Sequence, residues 1–138
     1  MPTVRIAYPG DLRTEATHLQ SGTTILTDAP TDNQGRGEAF SPTDLTATSL
    51  GTCIITTMGI RCRPQGLDFA GTEVEVTKIM SAQPPRRIAR VEVTLRMRTN
   101  VELTAEQRQF CEEIAHTCPV ALSLHPDTEQ AVRFEWNQ

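Results

Sequence analysis

Large side chains are scarce in this chain: of 138 residues, one is tryptophan, one tyrosine and four phenylalanine, or 4% aromatic, within an apolar fraction of 38%. Few bulky groups are available to fill a self-contained core, a shortage that burial shared with a second chain would relieve. No stretch approaches the ~20 apolar residues of a membrane span, and the start Met-Pro-Thr-Val-Arg-Ile lacks the apolar segment of a signal peptide. These absences point to a cytoplasmic protein with no membrane partner. Charge of one sign is nowhere concentrated: 13 Lys and Arg stand against 17 Asp and Glu, a net charge of -4 without a long run of either sign. That excludes the electrostatic footprint of a nucleic-acid binder. No Pro/Gly/Ser-rich linker divides the chain, so residues 1–138 are expected to form a single domain. Gly35-Arg36-Gly37 lacks the preceding strand and the rest of a phosphate-binding fingerprint. No Cys-x-x-Cys pair is present, the nearest cysteines being Cys111 and Cys118, seven apart, so neither a metal nor a cofactor is expected.

What is present is an α+β pattern. Short strands are expected over 3–8, 14–19 and 23–27, with Pro9-Gly10-Asp11 and Ser21-Gly22 as turns between them. A loop rich in turn formers, 28–38, leads to Ser41-Pro42-Thr43-Asp44. That is a helix start with Ser41 as N-cap, Pro42 at the first position and Asp44 closing a capping box. The helix should run to about Cys62, and no charged side chain lies between Asp44 and Arg61, the mark of a helix buried all round. Alternation over 72–80 and 88–99 reads as a hairpin, and Thr104 opens a second helix with Phe110, Ile114 and Ala115 on its apolar face, running until Pro119. A turn or two over 120–124 and a last strand over 131–136 complete the order.

Four cysteines are too few for a disulfide scaffold, and a reducing compartment keeps them as thiols unless they are catalytic or sensing. The thiolate is the reactive form, so what matters is a helix N-terminus or a cation close to the sulfur. Cys118 precedes Pro119 and is pushed out of the α region, which makes it the N-cap of the turn that follows. Cys53 lies three turns into the first helix, beyond the reach of its dipole, and needs a cation from elsewhere. On a helical wheel Thr46, Ser49, Leu50, Thr57 and Ile60 fall within roughly 60° of Cys53, while Asp44 falls on the opposite side. Free cysteine is also among the most buried residue types, so a small core side chain is an equal reading of Cys53. Cys62, at the helix end between Arg61 and Arg63, and Cys111, expected to be partly exposed, read as non-catalytic. His18, His116 and His125 are scattered and read as capping or surface residues.

Ser41-Pro42-Thr43-Asp44-Leu45 with Cys53 eleven residues after Pro42, then Cys118-Pro119-Val120 65 residues beyond Cys53, resembles the OsmC/Ohr family of osmotically inducible and organic hydroperoxide resistance proteins. The resemblance extends over nearly the whole chain. It implies an OsmC-like fold, with antiparallel sheets around a long buried central helix, and an intertwined homodimer with two active sites between the subunits. It also implies a thiol-dependent peroxidase in which Cys53 attacks an organic hydroperoxide and becomes a sulfenic acid. Cys118 then resolves it to a disulfide, which an external thiol reductant such as a lipoylated protein reduces. One departure stands out. The family's peroxidases carry a glutamate directly after the proline, paired with an N-terminal arginine, and here that position is Thr43. Arg36 in the loop, and then Arg13 after the first turn, are the candidate thiolate-activating cations. An acid one place later also occurs in a less characterised OsmC-like branch. That sets an alternative, a non-peroxidatic domain binding a small apolar or electrophilic ligand at the dimer interface.

Overall fold

Alternating threonine and aliphatic residues at the N-terminus form three short strands, β1 (Val4–Gly10), β2 (Arg13–His18) and β3 (Thr24–Asp28). A computed structural model describes residues 1–136. The three strands pair antiparallel in the order β1-β2-β3, with Ile6 opposite Ala16 and Ala16 opposite Ile25. The first turn is a two-residue loop in which Asp11 (φ 56°) and Leu12 (φ 64°) are both left-handed, the backbone twist that a tight hairpin requires. Next comes the long helix α1 (Pro42–Cys62). Its capping box is closed as expected: the Asp44 N–H donates to Ser41 Oγ, and the Ser41 N–H donates to Asp44 Oδ2, each at 3.0 Å. The Asp44 carboxylate is thereby engaged in holding the helix start.

The chain gathers into two compact units, Met1–Thr46 and the remainder from Ala47, with the division falling inside α1. Among the described residues the first unit buries only Thr27, Asp28 and Ser41, all polar, while Val4, Ile6, Tyr8, Ile25 and Leu26 are exposed. Three short strands without an apolar interior are not a stable structure by themselves.

The second unit holds the core. Strands β4 (Glu73–Met80) and β5 (Ile88–Met97) form the expected hairpin, and β5 directs Val91, Val93, Leu95 and Met97 inward on alternate residues. Helices α2 (Ala105–Ile114) and α3 (Pro119–Ser123) follow, then β6 (Glu129–Trp136), two residues earlier than expected. The sheet order is β4-β5-β6, and β6 runs parallel to β5 rather than antiparallel. The cause is the connection: the chain crosses back through α2 and α3 before re-entering the sheet, and a crossover of that length delivers a parallel strand. Thr104 closes a full capping box with Gln107 at the start of α2. The helix stops at Ile114, short of Pro119, because Ala115, His116 and Thr117 each donate three residues back, to Glu112, Glu113 and Ile114. The winding tightens before the extended Cys118.

Helix α1 buries Ala47, Leu50, Gly51, Ile54, Met58 and Cys62, a single face. The expectation of burial all round is not met in the single chain: Thr46, Thr52, Thr56 and Ile60 are exposed, and Ser49, Cys53 and Thr57 are half-buried. Gly51 lets this helix approach the second sheet. A Cβ there would lie 2.6 Å from Val76 Cγ2 and 3.3 Å from Val74 Cγ1. Gly51→Val is therefore expected to destabilise the protein by ~1–3 kcal/mol through overpacking, read as a lowered denaturation midpoint; an unchanged midpoint would contradict so close an approach.

Candidate active site

The second unit brings Cys53 and Cys118 together. Cys53 sits on the shoulder of α1, between the buried positions Leu50 and Ile54 and the exposed side, and remains half-buried. Cys118 is wholly buried and is the N-cap of α3, with extended backbone (φ -68°, ψ 151°) followed by Pro119, as the sequence predicts. The free N–H groups of Val120 and Ala121 lie against the two sulfurs without closing a capping hydrogen bond of full geometry. One turn along α1, Thr57 Oγ1 is 3.8 Å from Cys53 Sγ. The two thiols are near enough for each to shift the other's titration.

This surrounding divides the pair. Burial pushes the Cys53 thiol up, but the Val120 N–H, the Thr57 hydroxyl and the Cys118 thiol together outweigh it and hold Cys53 below its ordinary value. For Cys118, burial pushes the thiol up and prevails over the N–H groups of Ala121 and Val120, with the neighbouring Cys53 acting in the same upward direction. Of the pair, Cys53 is the thiol that gives up its proton more readily. A more acidic thiol beside a less acidic one is a combination able to carry sulfur redox chemistry.

Arg13 and Arg36 both lie in the first unit. Arg13 Nη2 donates to Asp28 Oδ2 at 2.9 Å and to Glu38 Oε1 at 2.8 Å, while its Nε reaches Asp28 Oδ1 at 3.3 Å. Asp28, only 1% exposed, also accepts the Glu38 N–H at 3.0 Å. The Arg13 guanidinium holds the Asp28 carboxyl below the usual carboxylate range against the opposing effect of burial, with the Glu38 N–H and the Arg36 charge assisting. Arg36 lines a shallow cavity with Pro9, Gly10, Asp11, Arg13 and Asp28. The sequence marks Asp28 and Glu38 only as the ends of a turn-rich loop. Nothing in their spacing announces that the loop folds both carboxylates onto one arginine.

A carboxyl whose folded-state pKa is depressed stabilises the fold above its unfolded value near ~3.9, and that contribution is lost as pH falls through the folded value. The gap in thermal midpoint between the parent protein and Asp28→Asn is thus expected to be constant above about pH 5 and to narrow below about pH 4. A gap that widens on acidification would contradict the Arg13 pairing.

Cys111 is not partly exposed as expected but wholly buried, and Cys62 is buried with it; their sulfurs are 3.4 Å apart. Cys111 shares the inward stripe of α2 with Ile114, three residues on, and the stripe continues into the C-cap Ala115. Thr43 Oγ1 lies 3.2 Å from Ser41 Oγ, within the cap of α1. Among the described residues, no group of three or more His, Cys, Asp or Glu is placed to hold a metal, and no helix is long and apolar enough to cross a membrane.

With this geometry in view, likeness to known proteins is informative. A protein from Psychrobacter arcticus, provisionally named an osmotic stress induced and detoxification response protein, is 51% identical, with a TM-score of 0.91 over 98% of this chain and 96% of that one. Organic hydroperoxide resistance proteins from Elizabethkingia anophelis (16% identity, TM-score 0.74, 99% and 98% covered) and Legionella pneumophila (15%, 0.70, 98% and 98%) share the fold. No curated protein matches the sequence. The model of the OsmC-like protein family matches residues 35–132, most of the chain and the whole of the segment carrying both thiols. The chain therefore belongs to the OsmC-like protein family.

Proposed function

We propose that this protein is a thiol-dependent peroxidase that reduces organic hydroperoxides, with Cys53 as the attacking thiolate and Cys118 as the resolving thiol. The observation that carries this is the division of the pair: Cys53 is half-buried and held below its ordinary pKa, while Cys118 is fully buried and held above it. The Cys53 thiolate attacks the distal oxygen of the hydroperoxide, the O–O bond breaks, and the alcohol leaves with a proton. The Cys118 sulfur then attacks Cys53, the S–O bond breaks, and the hydroxide leaves with the Cys118 proton as water. An external thiol reduces the resulting disulfide by exchange, a step suited to a reducing cytoplasm. Arg36 and Arg13 are the candidate activating cations of this proposal, and Arg13 is fixed between Asp28 and Glu38.

A homodimer belongs to this proposal. Support comes from the uncharged face of α1 and from the apolar side chains of the first sheet, which a second copy would cover. Rapid mixing of the reduced protein with one equivalent of cumene hydroperoxide is expected to consume two thiols per chain, Cys53 and Cys118. Retention of both would sink the reading. Thr43, in place of the glutamate of the family's peroxidases, favours a second reading, in which the dimer interface binds a small apolar or electrophilic ligand without peroxide chemistry. It predicts a ligand-dependent thermal shift that survives Cys53→Ser.

A further inference from the structure

Cys62 and Cys111 come from different helices, 49 residues apart in sequence, and meet with their sulfurs 3.4 Å apart and both side chains inaccessible to solvent. A disulfide of about 2.05 Å needs the sulfurs to close by only about 1.4 Å. Arg61, next to Cys62, stacks over the Phe110 ring next to Cys111 at 5.4 Å, a second contact between the end of α1 and α2 beside the thiols. From this geometry we infer a second redox-active dithiol, in which Cys62 and Cys111 close to a disulfide under sustained exposure to hydroperoxide and fasten α1 to α2. It stands apart from the first pair. Cys62 follows Cys53 by nine residues, about 13.5 Å along the helix axis and half a turn around it, so the two pairs do not exchange directly.

The oxidant is a small hydroperoxide such as hydrogen peroxide. Cys62 loses its proton and its sulfur attacks one peroxide oxygen; the O–O bond breaks and water leaves. The Cys111 sulfur attacks the Cys62 sulfenic acid, the S–O bond breaks, and hydroxide departs with the Cys111 proton as a second water. Two electrons pass from the two thiols to the peroxide. Burial, with Cys62 alongside, pushes the Cys111 thiol up to about 12. Cys111 therefore keeps its proton, and with both sulfurs inaccessible the second pair reacts only when the helices open, slower than the first by on the order of 100-fold or more. Once formed, the bond ties the helix that carries Cys53 to the segment that leads into Cys118.

The test uses the full chain carrying Cys53→Ser and Cys118→Ser, which removes the first pair, so failure here leaves the peroxidase proposal untouched. After excess hydrogen peroxide and alkylation in denaturant, tryptic peptides 62–78 and 109–133 should appear joined with the loss of two hydrogens. The thermal midpoint should rise by about 5 °C or more and fall back with dithiothreitol. In the parent protein the same treatment should link three peptides, 37–61, 62–78 and 109–133, the second link forming later. Full alkylation of Cys62 and Cys111 in both proteins, or oxidation of Cys62 to the sulfinic acid without linked peptides, would overturn the inference.

Discussion

Cys53→Ser is expected to lower the turnover of cumene hydroperoxide by roughly 10³-fold or more, because a serine hydroxyl is a far weaker nucleophile toward peroxide oxygen than a thiolate. Cys118→Ser should behave differently. The first equivalent of peroxide is still reduced at Cys53, but the sulfenic acid lacks its buried partner and accumulates, to be trapped by dimedone. The two variants thus separate attack from resolution. The contrast follows from the site: Cys53 is reachable and held toward the thiolate by Val120, Thr57 and Cys118, whereas Cys118 is sealed behind it and keeps its proton. The single-turnover rate should fall as pH drops through the Cys53 pKa, with a midpoint below that of free cysteine at ~8.5. Equal loss of the first turnover in both variants would overturn the assigned roles. Unchanged peroxide consumption in Cys53→Ser would remove the peroxidase proposal altogether.

The second large effect concerns assembly. Val4 and Ile6 are two residues apart along β1, ahead of its bulge, and so share one face of the sheet, yet Val4 is 41% and Ile6 61% exposed. If that face met only water, Ile6→Asp would change stability by no more than about 0.5 kcal/mol, as ordinary surface substitutions do. If a second copy covers it, the carboxylate is buried without a partner at a cost of ~3–5 kcal/mol, weakening association by roughly 100-fold or more. Sedimentation velocity at micromolar concentration should therefore show a dimer for the parent chain and a monomer for Ile6→Asp. A monomeric parent, or a variant that sediments as a dimer, would contradict the assembly. The first unit makes the effect large: among its described residues it buries no apolar side chain of its own, so the stability of its sheet has to come from elsewhere.

Much of this molecule is written locally. Ser41-Pro42-Thr43-Asp44 closes the cap of α1 because an N-cap and its reciprocal acid are three residues apart, and Thr104 closes another with Gln107 by the same rule. Alternation along β4 and β5 was enough to pair them, since both strands and their turn are contiguous. Cys118 at the start of α3 follows from the proline after it. The direction of β6 was not legible in this way, because it depends on where α2 and α3 return the chain. Nor was the one-sided burial of α1, whose uncharged residues do not say which of its faces the chain's own core covers.

For the candidate site, sequence by itself pointed to Cys53 and Cys118, and it determined the family to which their spacing belongs. Tertiary structure alone decided that the Cys53 thiol is held below its ordinary pKa and the Cys118 thiol above, because that depends on the depth of each sulfur and on the N–H and hydroxyl groups aimed at it. It also decided that Arg13 is clamped by Asp28 and Glu38, and that Cys62 and Cys111 meet. The physical reason is common to all three. Caps and strand alternation are set by neighbours within four residues, whereas a shifted pKa, an ion pair across a loop and a contact between helices are set by distances through space, which the order of residues does not contain.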